Sequence, residues 1–303
     1  AIEAADQEVA ARQAALLNNE NLRRLDIMAR YFDVLLADMQ YAADNEFMAV
    51  AYVAWDNARD RAAVGQLSQP ELMKLEAGYQ DVRERRNASL QRMRATRQKL
   101  AQSINRPASL PTDLEEPALK DNNRPVPDYE TLLPWVLAHN PRVMAARAQI
   151  EAADARIASA RAERHPSIDA EVIGAGYSRE SVTRDDVSAG LVFSVPLYQG
   201  ERVDAREARE RALKARTQAE LQKLEFDLAD ALLANLQEIE WLRGSGRPAA
   251  DKQIEYRDWA LERARAEYEL EMKTNLGTNM AETQMAQLRR KQVEYRLALA
   301  LAR

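Results

Sequence analysis

The residue types that most often carry out chemistry in proteins are scarce in this chain of 303 residues. It has no cysteine and only two histidines, His139 and His165, each of which lies beside a predicted helix boundary. Without thiolates or a cluster of histidine and carboxylate residues, no metal site is expected. The sequence also has no nucleophile with a nearby base, no phosphate-binding loop and no dinucleotide fingerprint. We therefore predict no catalytic residue, no cofactor and no enzymatic activity.

Three methionines are the remaining candidates for metal chemistry. Met272, Met280 and Met285 lie close together in the sequence, near a predicted turn. Thioether sulfur binds soft metal ions, so these residues could serve the export of such a metal. Methionine on a helix more often fills gaps in an apolar core, and we favour that interpretation.

The composition favours long helices over a thick core. Apolar residues make up 46% of the chain, but only 6% of residues are aromatic, and much of the apolar content is alanine. Such a chain can pack long helices along narrow seams. Acidic and basic residues are interleaved and the net charge is −5, which argues against a nucleic-acid partner. No apolar run reaches the ~18 residues of a membrane-spanning helix.

The first 104 residues predict an antiparallel helical hairpin. Apolar residues recur every seven positions, and neither proline nor glycine occurs before residue 65; about sixty helical residues would span roughly 90 Å. A turn is predicted near 65–70. There, Ser68 and Glu71 have the spacing of a capping box, and Pro70 occupies the first turn of the next helix.

A proline-rich connector follows at 105–137, where a continuous helix is excluded. The next helix, predicted over 138–166, begins at Asn140 as cap with Pro141 in the first turn. Its β-branched residues recur every seven positions and alternate with alanines, a pattern typical of a tightly packed coiled coil.

Residues 167–198 predict a β hairpin, with strands at 167–177 and 187–198 and a charged loop between them. In the first strand, apolar residues alternate with Asp169 and Glu171 over 168–172; in the second, apolar residues at every other position from 187 to 197 alternate mostly with small or polar ones, with Val192 as the exception. Strands of about 10 residues suit a tilted strand that crosses a bilayer. Because an isolated hairpin is marginally stable in water, these strands are expected to pair with other parts of the chain or with other copies.

The remaining residues, 199–303, predict a second helical hairpin with its turn near 273–280. The segment 244–248 interrupts the first of its helices, and Asn279 with Glu282 could cap the last one. The two helical hairpins form an internal repeat. In the second repeat a helix and a β hairpin come first; the matching segments of the first repeat would precede residue 1.

At these residues the chain resembles the TolC-type outer-membrane efflux and secretion channels, also called outer membrane factors. The similarity is carried by the Asn-Pro helix start at 138–147, by the alanine-rich helix 150–166, by the strand 190–202 and by the turn 64–68. The resemblance implies a mainly α fold. Long antiparallel coiled-coil helices would form an α-barrel, and the small β hairpin would contribute to a trimeric transmembrane β-barrel.

The resemblance also implies a function and partners. The protein would be a homotrimeric exit duct of a tripartite efflux pump or a type I secretion system. It would lie in outer-membrane lipid of a Gram-negative cell, with most of the chain in the periplasm. A periplasmic adaptor (membrane fusion) protein and an inner-membrane pump would open it by docking at the periplasmic tip.

Site residues follow from the same resemblance. The adaptor would dock at the two tip turns, namely Gly65, Leu67 and Ser68 in the first and Leu276, Gly277 and Thr278 in the second. Glu71 and Glu282 would ring the pore gate and attract cations, although helix capping also explains both residues and is the interpretation we favour. Asp169 and Glu171 would face the barrel lumen, because charge facing lipid is costly.

Two other classes of protein remain open. A periplasmic adaptor also contains a long helical hairpin, but it would carry a glycine-rich lipoyl-like domain beside a single hairpin. A soluble coiled-coil scaffold would have no need for the β hairpin at 167–198.

Overall fold

The computed structural model describes all residues except 1, 107–109, 111–112, 180–181, 271 and 273–274. Two compact units are present. The first comprises residues 1–19 and 130–230, and the second comprises residues 20–129 and 231–303. Among the described residues, no helix is both long enough and apolar enough to cross a lipid bilayer.

Seven α-helices, two strands and two short helical turns make up the described chain. The helices are α1 (Ile2–Ala63), α2 (Gln69–Ser103), α3 (Tyr129–His139), α4 (Pro141–Ala162), α5 (Arg202–Trp241), α6 (Arg247–Glu269) and α7 (Leu276–Ala302). The strands are β1 (Ser167–Arg179) and β2 (Val182–Ser194). A 3-10 turn covers Lys120–Asn123, and a π-helical turn covers Leu242–Gly246.

In the first unit, α4 begins where the sequence predicts. The Asn140 side-chain oxygen accepts a hydrogen bond from the backbone N–H of Arg142 at 2.9 Å, and Pro141 occupies the first helical position. Residues 138 and 139, which were predicted to belong to α4, instead end α3. Small residues line the buried side of α4, including Ala152, Ala153 and Ala160. Alanine at these positions permits the close helix approach that the heptad pattern predicts.

The β hairpin has longer strands than predicted. β1 and β2 pair antiparallel from Ser167 opposite Ser194 to Arg179 opposite Val182. The prediction of a loop over 178–186 is therefore wrong, except at 180–181, which lie outside the described residues. β2 ends at Ser194, before the predicted end at residue 198. Pro196 explains the early end, because proline has no N–H to donate to a strand ladder.

In the second unit, α1 and α2 are joined by the predicted turn. The Gly65 N–H bonds to the Ala62 carbonyl at 3.0 Å, and the Gln66 N–H bonds to the Arg61 carbonyl at 2.8 Å. This pair of bonds is a Schellman motif, which satisfies carbonyls left unpaired at a helix end. Gly65 has φ +75°, and this left-handed conformation costs little only for glycine.

The predicted break at 244–248 does not end the helix. The chain passes from α5 through the π-helical turn into α6, with Gly246 and Arg247 both in helical backbone conformation. Pro248 lies in the first turn of α6, where its missing N–H removes only one bond from the locally widened π segment. Local helix propensity predicted a break at these residues. Contacts with neighbouring segments, which propensity does not describe, keep the helix continuous.

The last helix starts earlier than its predicted cap. α7 begins at Leu276 after Asn275, so Asn279 lies inside the helix, and its N–H bonds to the Asn275 carbonyl at 3.0 Å. The predicted cap formed by Asn279 and Glu282 is therefore wrong. The residues at 273–274 of the predicted turn lie outside the described part of the chain.

The core of the second unit is a thin apolar seam. Its buried cluster consists of Ile239, Leu242, Leu297 and Ala300. Nearby, the rings of Phe32 and Tyr295 stack with centroids 4.5 Å apart and planes 4° from parallel. These contacts join α1, α5 and α7 along a narrow line, as the low aromatic content predicts.

Candidate functional site

One face of the β hairpin is apolar and exposed over residues 168–174 and 187–193. Its cross-strand pairs are Ile168 with Phe193, Ala170 with Leu191, Val172 with Ala189, and Gly174 with Val187. Residues directly opposite one another in an antiparallel ladder share a face, so over residues 168–174 of β1 and 187–193 of β2 this face carries no polar side chain. Ile168, Val172 and Leu191 are 70%, 74% and 78% exposed. A contiguous apolar surface of this kind marks contact with lipid or with another protein.

The opposite face carries the two predicted lumen residues. Its pairs are Ser167 with Ser194, Asp169 with Val192, Glu171 with Gly190, and Ile173 with Ser188. Both carboxylates are exposed, and the Ser167 hydroxyl donates to the Asp169 carboxylate at 3.2 Å. The structure therefore places Asp169 and Glu171 on one side and the large apolar residues of the first face on the other. Their position in a lumen stays a prediction.

The first predicted tip is a capped turn. Glu71 Oε2 accepts hydrogen bonds from the Ser68 hydroxyl at 2.6 Å and from the Ser68 backbone N–H at 3.2 Å. These two bonds lower the pKa of Glu71 below the ordinary value. Gly65, Leu67 and Ser68 lie at the surface of the turn, where Gly65 and Ser68 are exposed. The capping role of Glu71 is thus confirmed, while docking and gating at this turn stay predictions.

The second group of predicted tip residues is helical. Leu276, Gly277 and Thr278 form the first turn of α7 and are half-buried. A Cβ atom added at Gly277 would come within 2.5 Å of Val50 Cγ2 on α1. Gly277 therefore permits close contact between α1 and α7, a role that the prediction of a docking turn did not include.

Glu282 pairs with a neighbouring helix. Its carboxylate accepts a hydrogen bond from the Arg257 guanidinium on α6, and both side chains are partly buried. One residue later, the Thr283 hydroxyl donates to the Asn279 carbonyl at 2.8 Å. The capping explanation for Glu282 is wrong, because this residue lies two turns into α7 and joins it to α6. The gate role of Glu282 stays a prediction.

A polar cluster attaches the connector to α6 and α7. We define it as Asn122, Arg243, Arg247, Arg290 and Glu294. The Arg247 guanidinium donates to both oxygens of Glu294, at 2.6 and 3.0 Å, and the Asn122 amide donates to the Glu294 carbonyl at 3.0 Å. Arg243 donates to the carbonyls of Asn122, at 2.9 Å, and Arg124, at 2.6 Å. The connector is therefore held through its backbone carbonyls, the buried Asn122 amide and the Asn123 side chain, whose oxygen accepts a hydrogen bond from Arg247 at 2.6 Å.

The electrostatics of this cluster favour a charged Glu294. Only 4% of Glu294 is exposed, and burial alone would raise its pKa. Hydrogen bonds from Arg247 and Asn122, together with the positive charges of Arg247 and Arg290, outweigh burial and lower the pKa below its ordinary value. The contacts with these partners offset the desolvation cost of the buried charge, and losing them would leave that cost uncompensated.

A second buried acid lies in the first unit, near the end of α4 that leads into β1. Glu207 of α5 is 6% exposed and pairs with Arg161, with Arg211 at 2.6 Å and with Arg164 at 3.6 Å. The hydrogen bond from Arg161 lowers the pKa of Glu207 below its ordinary value, and the nearby arginine charges add to this effect. These pairs fix α4 against α5 next to the β hairpin.

Two of the residues considered for metal chemistry, Met285 and His139, contact other side chains. Among the described residues, no group of histidine, cysteine and carboxylate residues could hold a metal ion. Met285 accepts a hydrogen bond from the Gln40 amide at 3.6 Å, and Met272 is 56% exposed. The His139 ring stacks on the Trp135 ring with centroids 4.8 Å apart. Met285 thus packs between helices, in agreement with the favoured interpretation.

Sequence reasoning missed the polar cluster. Glu294 lies three residues before the buried Leu297, between Val293 and Tyr295. A carboxylate within an apolar stretch of a helix is the signal that could have indicated a buried charge. Its partners come from the connector and from the far side of the π-helical turn, and no local pattern in the sequence joins these segments.

Comparison with protein families gives one match. The family model described as outer membrane efflux protein matches residues 132–303. This region includes α4, the β hairpin, the π-helical turn and α7. A comparison with curated proteins gives no match.

Comparison with solved structures gives several similar folds. A membrane protein from Pseudomonas aeruginosa has 18% identity and a TM-score of 0.68, covering 99% of this chain and 71% of the other. VceC, an outer membrane protein from Vibrio cholerae, has 17% identity and a TM-score of 0.68, with coverages of 99% and 73%. The CmeC outer membrane channel from Campylobacter jejuni has 13% identity and a TM-score of 0.70, with coverages of 99% and 65%. At these identities the likeness establishes the fold.

Proposed function

Because the chain belongs to the outer membrane efflux protein family, we propose that it forms a passive exit duct in the outer membrane of a Gram-negative cell. Three copies would contribute their hairpins to a shared β-barrel, and the long helices would form an α-barrel, most of it in the periplasm. The duct itself performs no catalysis, and energy comes from a pump in the inner membrane.

The β hairpin is the observation that carries this proposal. One of its faces is apolar and exposed over residues 168–174 and 187–193, while the other carries Asp169 and Glu171. A barrel strand needs this two-sided pattern, because one face meets lipid and the other meets the aqueous lumen. Closing the sheet with strands from other copies also pairs the backbone groups at both hairpin edges, which a bilayer requires.

A periplasmic adaptor is the proposed partner at the tips. The first turn offers the exposed backbone and small side chains of Gly65 and Ser68 beside Leu67. At the second site, Leu276, Gly277 and Thr278 lie at the start of α7, so an adaptor would contact a helix end there. A pump or a type I secretion transporter would act through this adaptor.

Glu71 and Glu282 are the proposed gate residues. Glu71 is exposed and stays charged because its pKa is lowered by Ser68. Glu282 is tied to Arg257 on α6, so releasing this pair would free both a carboxylate and the α6–α7 contact. Opening at the tip would then consist of a shift of α6 against α7, with a ring of carboxylates attracting cations.

Conductance in planar bilayers tests the gate. We expect the full-length protein to form cation-preferring channels, and we expect Glu71→Gln and Glu282→Gln each to reduce that preference because a ring of negative charge is lost. Glu76→Gln serves as the control, since Glu76 is an exposed residue of α2 outside the proposed gate. If both gate variants conduct like the control, the assignment of Glu71 and Glu282 to the gate is wrong.

A further inference from the structure

The second unit contains a cavity between the connector and two helices. It is bounded by residues 117–124 of the connector, 24–32 of α1 and 298–302 of α7, and its volume is about 590 Å³. We call it the connector cavity. Sites for small organic molecules have volumes of ~300–1,000 Å³, so the connector cavity is large enough for such a molecule.

The inner wall of the connector cavity is apolar and firmly packed. Phe32 contributes to this wall and is only 4% exposed. Its ring stacks on Tyr295, with 4.5 Å between the centroids. Met28 and Leu301 add flexible and branched apolar surface at the sides. A flat apolar group would be well accommodated here, because a stacked aromatic pair provides a rigid surface and methionine adapts its shape.

The charged residues of the connector cavity are two arginines and one aspartate, namely Arg24, Arg124 and Asp121. Both arginine side chains are exposed, and neither guanidinium has a hydrogen-bond or ion-pair partner within the described part of the chain. Most other arginines near the connector are paired, as in the contact of Arg247 with Glu294. The cavity therefore has an excess of positive charge available to a ligand.

We propose that the connector cavity binds a small organic anion with a flat apolar body, such as an aromatic carboxylate. The guanidinium of Arg24 or Arg124 would bind the carboxylate, since the planar fork of arginine matches two carboxylate oxygens. The apolar body would lie against Phe32 and Leu301. This site is separate from the tips and the β hairpin, so it does not depend on the proposed duct.

Binding would have a structural consequence. The walls of the connector cavity come from α1, α7 and the connector, and an occupant would contact all three. A ligand that binds only the folded state stabilises it by an amount that grows with the logarithm of the ligand concentration relative to Kd. The anion would thus strengthen the attachment of the connector, which the polar cluster already holds at Asn122.

The test uses 2-naphthoate as the probe and the purified full-length protein in a neutral detergent. Calorimetric titration, with detergent alone subtracted, should show saturable binding at one site per chain. The neutral isostere 2-naphthamide should bind about tenfold more weakly, a difference that corresponds to ~1.4 kcal/mol. Thermal unfolding should shift upward with 2-naphthoate and less with the amide.

Variants locate the site. Arg24→Ala and Arg124→Ala should together weaken 2-naphthoate binding at least tenfold, whereas Arg92→Ala, an exposed position of α2, should leave it unchanged. Asp121→Asn should tighten binding a few-fold, because it removes the one carboxylate of the cavity. Ala298→Trp should block binding by filling the space, and its thermal unfolding without ligand shows whether it folds.

Three results would overturn the proposal. The first is no saturable binding to the unmodified protein. The second is equal binding of 2-naphthoate and 2-naphthamide that persists in the double arginine variant. The third is unchanged binding in a folded Ala298→Trp variant, which would place the probe elsewhere on the protein. The arginine and aspartate variants change only exposed residues, so they remain informative even if Ala298→Trp fails to fold.

Discussion

At the scale of single residues, Glu294 carries the most consequential charge of the connector region. It is almost fully buried, and it meets two guanidinium groups and the Asn122 amide. The desolvation of these charges is costly, and only their mutual contacts offset it. Removing Glu294 therefore leaves the partly buried Arg247 without its ion-pair partner.

We expect Glu294→Gln to lower the free energy of unfolding by about 3 kcal/mol, because the partly buried Arg247 then loses its anion, whereas Arg290 keeps its pair with Asp251. Urea unfolding at neutral pH, followed by circular dichroism, measures the change. Glu255→Gln is the matched control: Glu255 forms an exposed pair with Lys252 on α6, and its loss should cost under ~1 kcal/mol. Equal stability of the two variants would contradict the role of Glu294.

The same carboxylate predicts a pH dependence. Its folded pKa is lowered, so its contribution is fully present above the ordinary glutamate value of about 4.3 and is lost as pH falls through the folded pKa. The stability difference between the unmodified protein and Glu294→Gln should therefore shrink below pH ~4. Unfolding curves at neutral pH and at stepwise lower pH measure this, and a difference that stays constant or widens would count against the account.

At the scale of helices, the contact between α1 and α7 depends on one glycine. A side chain at Gly277 would overlap Val50, and valine has little freedom to rotate within a helix. Alanine would otherwise favour the helix by ~1 kcal/mol over glycine. The sign of the change in stability caused by Gly277→Ala thus shows whether packing or helix propensity dominates.

We expect Gly277→Ala to destabilise the protein by about 1–2 kcal/mol through overpacking. Adding Val50→Ala should recover part of that loss, since it removes the obstructing methyl groups. Gly78→Ala is the control, because nothing lies within 4 Å of an added Cβ there; this change should stabilise α2 by up to ~1 kcal/mol. Thermal unfolding of the four proteins measures these effects, and stabilisation by Gly277→Ala would show that α1 and α7 are not closely packed.

Local signals in the sequence predicted several elements well. Two helix starts are marked by contacts within a few residues, namely Asn140 with Pro141 and Ser68 with Glu71. Because these contacts are local, the positions of both helix starts could be predicted. The start of α7 and the continuity of the helix through the π-helical turn could not be predicted from such local signals. Both depend on packing between distant segments, as Gly277 against Val50 illustrates.

At the scale of the whole molecule, the predicted family and the mainly α fold with one β hairpin are confirmed. The family could be predicted because its signal lies in continuous motifs around α4 and β2. The polar cluster and the connector cavity could not, because their residues are separated by more than a hundred positions, as Asn122 and Glu294 are. The tip, gate and lumen assignments stay predictions.

The central claim is that the β hairpin is built to cross the outer membrane as part of a shared barrel. Its two faces offer a paired test in one strand. Leu191 lies on the apolar face and Ser188 lies on the face of Asp169 and Glu171. An arginine facing the middle of a bilayer costs ~2–4 kcal/mol, whereas one facing a lumen is tolerated.

The most direct measurement is the fraction of full-length protein that inserts into the outer membrane as trimers. It is determined for Leu191→Arg and Ser188→Arg by membrane fractionation and by electrophoresis of unheated samples. The account predicts a severe loss of inserted trimer for Leu191→Arg and near-normal insertion for Ser188→Arg. Equal insertion of the two variants, or loss confined to Ser188→Arg, would contradict it.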